Sequence, residues 1–114
     1  MSVCRRRARR RNPSFHAVTK VEPPLAIIHL RGELDIATLP CLESAVGRAL
    51  RADAKAIVLD LHDLEFVDVF GLRRMEVLTR DLEEVGRRLT ITNVSDRVMR
   101  LLRMIGPHDL TITS

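Results

Sequence analysis

The sequence predicts an α/β fold: a small mixed, mostly parallel β-sheet packed by about three α-helices. Three observations carry this expectation. Apolar segments of strand length alternate with longer segments whose apolar residues recur at helical spacing. Gly32, Gly86 and Gly106–Pro107 stand as punctuation at the ends of these segments. No apolar run approaches the ~20 residues that a membrane span requires, so the apolar 46% of the 114 residues is available for one core.

The elements follow in order. Residues 1–13 are expected as a basic disordered tail and residues 14–114 as one domain. "FHAVTKV" (Phe15–Val21) alternates loosely, as an edge strand does, and "EPP" ends it. "LAIIHLRG" (Leu25–Gly32) is a mostly apolar strand. "ELDIATLP" then leads to Thr38, a candidate N-cap, with Pro40 tolerated in the first helical turn. Leu42, Ala45, Val46, Ala49 and Leu50 make one apolar face of the first helix.

"AIVLDL" (Ala56–Leu61) is nearly continuous and rich in apolar residues, as a central strand covered on both faces would be. Leu72, Met75, Leu78, Leu82 and Val85 stripe the second helix, whose other faces are charged and whose end Gly86 caps. "RLTITN" alternates as a strand. Ser95 caps a third helix with Val98, Leu101, Leu102 and Ile105 on one face, and "LTIT" closes the chain as a short strand. Alternating strands and helices imply right-handed crossovers that lay helices on a mostly parallel sheet.

Charge is unevenly placed. Six arginines in "CRRRARRR" account for more than the whole net charge of +4, leaving 13 Lys+Arg against 15 Asp+Glu. Such a run either holds phosphates or is a solvated tail; with no aromatic residue among the arginines to stack on bases, nucleic acid is not an expected partner. The Arg-rich start lacks the apolar stretch of a secretory signal, so a cytoplasmic setting without a membrane partner is expected. Cys4 and Cys41 show no metal-ligand spacing and no disulfide framework, and Cys41 reads as a small packing group.

Chemistry-bearing motifs are few. The five glycines form no phosphate loop, and the four histidines make no metal or nucleophile motif. Asp60, Asp63, Glu65 and Asp68, with His62 among them, are acids of the kind that Mg²⁺ takes, but acids near a helix start also complement its dipole, and that reading is preferred. No cofactor, metal or catalytic residue is assigned, and no enzyme activity is expected. The informative positions lie in two segments, "RGELDIATLP" and "HDLEFVDVFG", which follow successive strands and open on the same rim of a parallel sheet. Together they gather Glu33, Asp35, Thr38, Asp68, Val69 and Phe70 into a shallow acidic and apolar surface suited to a protein partner.

The segments "LRGELDIATLPCLESAV", "KAIVLDLHDLEFVDVFGLRRM" and "RLTITNVSDRVMRLLRMIG", in this order and spacing, resemble the STAS domain of bacterial anti-sigma factor antagonists, over about Phe15 to Ile112. The resemblance implies a regulatory binding module. Such domains capture an anti-sigma factor, typically a serine kinase with an ATP-binding fold, and free a sigma factor for transcription. The family's second loop reads Asp, Ser, Ser or Thr, Gly; the hydroxyl before the glycine is phosphorylated, and the phosphorylated form releases its partner. Here Asp68 and Gly71 match, but Val69 and Phe70 stand between them, and neither accepts a phosphoryl group.

The implied partner-binding positions are Glu33, Asp35, Thr38, Asp68, Val69, Phe70, Gly71, Leu72 and Arg73, with Phe70 at the acceptor position. Phe70 either anchors the partner without a switch, fills space beneath the rim, or blocks the usual partner in favour of another, such as a stress-signalling complex or a transport ATPase. A small-ligand sensor is a further alternative. Thr38 and Ser95 stay open as other phosphate acceptors, and the oligomeric state is left open.

Overall fold

The computed structural model describes residues 2–7 and 14–113. The elements among them are β1 (Ser2–Arg7), β2 (Ser14–Glu22), β3 (Leu25–Leu34), α1 (Leu39–Arg51), β4 (Ala56–Val67), α2 (Val69–Glu84), β5 (Arg88–Thr92), α3 (Asp96–Ile105) and β6 (Ile112–Thr113). The strands form one sheet in chain order, β1 to β6. β1, β2 and β3 pair antiparallel, and β3, β4, β5 and β6 pair parallel. The mixed, mostly parallel sheet with three helices is therefore as the alternation of segments predicts.

Strand order explains which face is covered. Each crossover from β3 onward moves one place in the same direction, and right-handed connections then lay α1, α2 and α3 against one face. The burial pattern agrees: Ala26, Ile28, Leu30, Ile57, Leu59, Leu61, Leu89 and Ile91 alternate into the core with Leu42, Leu72, Met75, Val98 and Leu102 of the helices. Their neighbours His16, Val18, Ile27, His29, Val58, Asp60 and Thr90 face the other way, and none is buried. The near-continuous apolar run Ala56–Leu61 is thus covered on one side only, not two. Val58 is half-buried by its neighbours in the sheet rather than by a second helical layer.

Two helix ends behave as their residues dictate. Ser95 accepts the Val98 N–H at 3.1 Å and so caps α3. Gly86 has φ +76° just past α2, with Gly86 N–H donating to Glu83 O at 3.0 Å and Arg87 N–H to Leu82 O at 2.8 Å. These two bonds satisfy carbonyls that the last turn leaves free. Val85, counted in the apolar stripe, lies at the cap and is exposed.

The N-terminus departs from expectation. Ser2–Arg7 is a strand of the sheet rather than part of a disordered tail, and residues 8–13 of that tail lie outside the described residues. β2 is consequently an interior strand, not an edge. Alternation makes this strand: Cys4 and Arg6 point to the helical side, while Val3, Arg5 and Arg7 point away. Arg6 Nε donates to Ala37 O at 2.9 Å. A disulfide joins Cys4 to Cys41 in the first turn of α1, with Cα atoms 5.5 Å apart. This overturns the reading of the two cysteines as making no disulfide: they are 37 positions apart in sequence, and β2 and β3 run between them before α1 begins.

Candidate functional site

β3 and β4 end side by side, and each runs almost directly into a helix. β4 continues six residues past the apolar segment, to Val67, so that the expected loop "HDLEFVDVFG" reduces to Asp68 alone between strand and helix. A register irregularity between His29 and Arg31 lets His62 and Asp63 both turn outward before Leu64 re-enters the core. The two rim segments are tied together by Asp68 N–H donating to Leu34 O at 3.2 Å.

Asp68 is the cap of α2. Its backbone is extended, and its Oδ1 accepts the Gly71 N–H at 2.9 Å. Phe70 therefore occupies the second position inside the helix, not the capping position, and an apolar side chain there leaves no cap bond unmade. Gly71 is required by close approach. A Cβ at this position would meet Leu34 Cγ, Leu34 O and Val67 Cγ2, each at 2.9 Å, below real side-chain contact distances. The glycine lets the first turn of α2 sit against the ends of both strands.

The first segment is built around Asp35 and Thr38, 2% and 0% exposed. Asp35 Oδ1 accepts the N–H groups of Ala37 and Thr38 at 2.9 and 3.2 Å. In return Asp35 N–H donates to Thr38 Oγ1 at 2.9 Å, and the Thr38 hydroxyl donates to Glu33 O at 3.0 Å. Thr38 holds the N-cap position of α1 but makes no side-chain cap bond to that helix; Asp35 supplies the acceptor instead. Both polar side chains face inward and bond within the segment. Glu33 is also buried, at the end of β3, and Leu72 is buried in the core.

What faces solvent on this rim is apolar. Ile36 is 42% exposed, Val69 44% and Phe70 50%, at the carboxyl ends of two adjacent parallel strands. Phe70 does not fill space beneath the rim. Arg73, one turn further along α2, is exposed and donates to Glu76 Oε1 at 2.6 Å and to Pro107 O at 3.2 Å. Ile36 is absent from the positions the sequence assigns; its signal is an isoleucine in a polar turn between Asp35 and Ala37, with no strand or helix face to serve.

The outlying acids have separate partners. Burial pushes the Asp60 carboxyl up, but the His62 N–H, the Asn93 amide and His29 outweigh it and hold its pKa below the ordinary 3.8. His62 Nδ1 lies 3.0 Å from Asp63 Oδ1. Among the described residues no three His, Cys, Asp or Glu side chains converge as a metal site, and no helix is long and apolar enough to cross a membrane.

The architecture is a one-sided α/β sheet with an exposed apolar trio on its rim. The STAS domain family matches residues 16–113, and the chain belongs to that family. It is 30% identical to the anti-sigma-B factor antagonist of Staphylococcus aureus (strain NCTC 8325 / PS 47) over 83 residues, covering 73% of this chain and 77% of that one. It is 32% identical to the anti-sigma-F factor antagonist RsfB of Mycobacterium tuberculosis over 63 residues, covering 55% and 49%. The fold is also that of the anti-sigma factor antagonist SpoIIAA in its unphosphorylated form. That match has a TM-score of 0.66 at 22% identity, and covers 86% and 88% of the two chains.

Proposed function

We propose that this chain is an anti-sigma factor antagonist without a phosphorylation switch: it captures an anti-sigma factor of the serine kinase type in the cytoplasm and so frees a sigma factor. The observation that carries this reading is Phe70, half-exposed in the first turn of α2, between the Asp68 cap and Gly71. The relatives named as anti-sigma factor antagonists support the partner class. On this reading Ile36, Val69, Phe70 and Arg73 touch the partner. Glu33, Asp35, Thr38, Asp68, Gly71 and Leu72 hold the two segments in the shape that presents them.

The logic of the missing switch is electrostatic. A phosphoserine here would bring about −1.5 to −2 charges and three acceptor oxygens into an apolar contact, which separates the partners. Phe70 accepts no phosphoryl group, Thr38 is wholly buried, and the Ser95 hydroxyl is engaged as the cap of α3 rather than placed on the rim, so on this reading the rim carries no acceptor that the kinase can switch.

The test is a binding titration against an anti-sigma kinase from the same organism, with and without Mg·ATP, for the parent and for Phe70→Ser. The parent should bind equally under both conditions and incorporate no phosphate. Phe70→Ser should bind without ATP, become phosphorylated with it and dissociate. Phosphorylation of the parent, or its release by ATP, would defeat the proposal.

A further inference from the structure

The sheet face turned away from the helices carries two arginines with a histidine between them. The register sets Arg5 of β1 opposite His16 of β2, and His16 opposite Arg31 of β3. Adjacent strands lie about 4.8 Å apart, so the three side chains stand within about 10 Å of one another. All three point outward, because Cys4, Phe15 and Leu30 beside them take the core side. Arg7 lies two residues along β1 on the same face. Among the described residues, Arg5, Arg7 and Arg31 have no carboxylate within ion-pair distance.

Like charges directly opposite each other across a sheet oppose pairing. His16 shows the effect: burial first, then Arg5 and Arg31, lower its pKa. Its Nδ1 is buried with no hydrogen-bond partner among the described residues. The remaining charged groups on this face are occupied: Lys20 lies 3.6 Å from Glu22, His29 Nδ1 lies 3.0 Å from Asp60, and Asp63 is held by His62. No carboxylate stands between Arg5 and Arg31, and Asp63, which the register sets opposite Arg31 on the β4 side, is held by His62.

We propose that Arg5, His16 and Arg31 form an anion site that takes a compact inorganic phosphate such as pyrophosphate. The two arginines rise from strands about 10 Å apart, their long side chains can converge on one compact anion, and each guanidinium fork can match a phosphate bidentately, with a protonated His16 between them adding a donor. A compact ligand is favoured over a polymer or a membrane by what surrounds the row. Glu22, Asp60 and Asp63 share the face, so an extended phosphodiester chain or an anionic bilayer laid across it would meet carboxylates. The site is separate from the rim and holds whether or not the rim binds an anti-sigma factor. It is complete only with β1 on the sheet, where Cys4–Cys41 holds it.

The probe is inorganic pyrophosphate. The pKa of the His16 ring, assigned against His16→Gln, is followed by NMR with and without it, and affinity is measured by calorimetry for the parent, Arg5→Ser and Arg31→Ser. Both arginines are exposed, so these variants keep the fold. Bound pyrophosphate should raise the His16 pKa by about one unit, and each serine variant should bind at least about tenfold more weakly. An unmoved His16 pKa at millimolar pyrophosphate, or unchanged affinity in both variants, overturns the site. A duplex oligonucleotide or phosphatidylserine vesicles binding more tightly than pyrophosphate, and losing that binding in the same variants, overturns the compact-ligand assignment.

Discussion

Replacing Phe70 with alanine tests the rim most directly. A phenylalanine side chain presents about 200 Å², and Phe70 is 50% exposed, so roughly 100 Å² of ring is available to a partner. At ~25 cal/mol per Å² this contact is worth about 2.5 kcal/mol, or roughly 60-fold in affinity at 1.4 kcal/mol per tenfold. The fold should barely respond. The Asp68 cap is untouched, alanine is a better helix former than phenylalanine, and the stability change should stay near 1 kcal/mol. Calorimetric titration against the anti-sigma factor, beside urea denaturation of the variant alone, separates the two effects. An affinity within about threefold of the parent would refute Phe70 as an anchor. Tighter binding by the variant would show that the ring obstructs this partner and serves another.

Gly71→Ala should act on the fold instead: its Cβ must push α2 away from Leu34 and Val67, costing about 1–3 kcal/mol in denaturation, and an unchanged midpoint would refute the close approach. Reducing Cys4–Cys41 removes a cross-link over 37 residues, worth at most about 4 kcal/mol on chain-entropy grounds. Hydrogen exchange should then accelerate first in Ser2–Arg7, and equal protection with and without reductant would show that the ladder bonds alone hold β1. Asp60 has a pKa held below 3.8 in the fold, so its contribution is present above that value and lost as pH falls through the folded pKa. The stability gap between the parent and Asp60→Asn should therefore be full at neutral pH and close in acid; a gap that persists at low pH contradicts the linkage.

The sequence by itself determined much of this protein. Apolar spacing at 3.6 residues placed the stripes of α1, α2 and α3. Ser95 and Gly86 marked helix ends through local hydrogen bonds that need no distant partner. Alternating segments implied right-handed crossovers, and "GELD" with "FVDVFG" pointed to adjacent rim segments. All of these signals act within a few residues along the chain.

Only the tertiary structure decided the rest, because the deciding partners are far apart in sequence. Whether Ala56–Leu61 is covered on one face or two depends on strand order, which no local run encodes. Ser2–Arg7 becomes a strand because β2 offers it an edge and α1 brings Cys41 to Cys4. Asp35 and Thr38 look like surface polar residues until their bonds to each other and to Glu33 turn them inward. Phe70 faces solvent because Gly71 lets α2 close onto Leu34 and Val67, filling the space beneath the rim with backbone and leaving the ring outside.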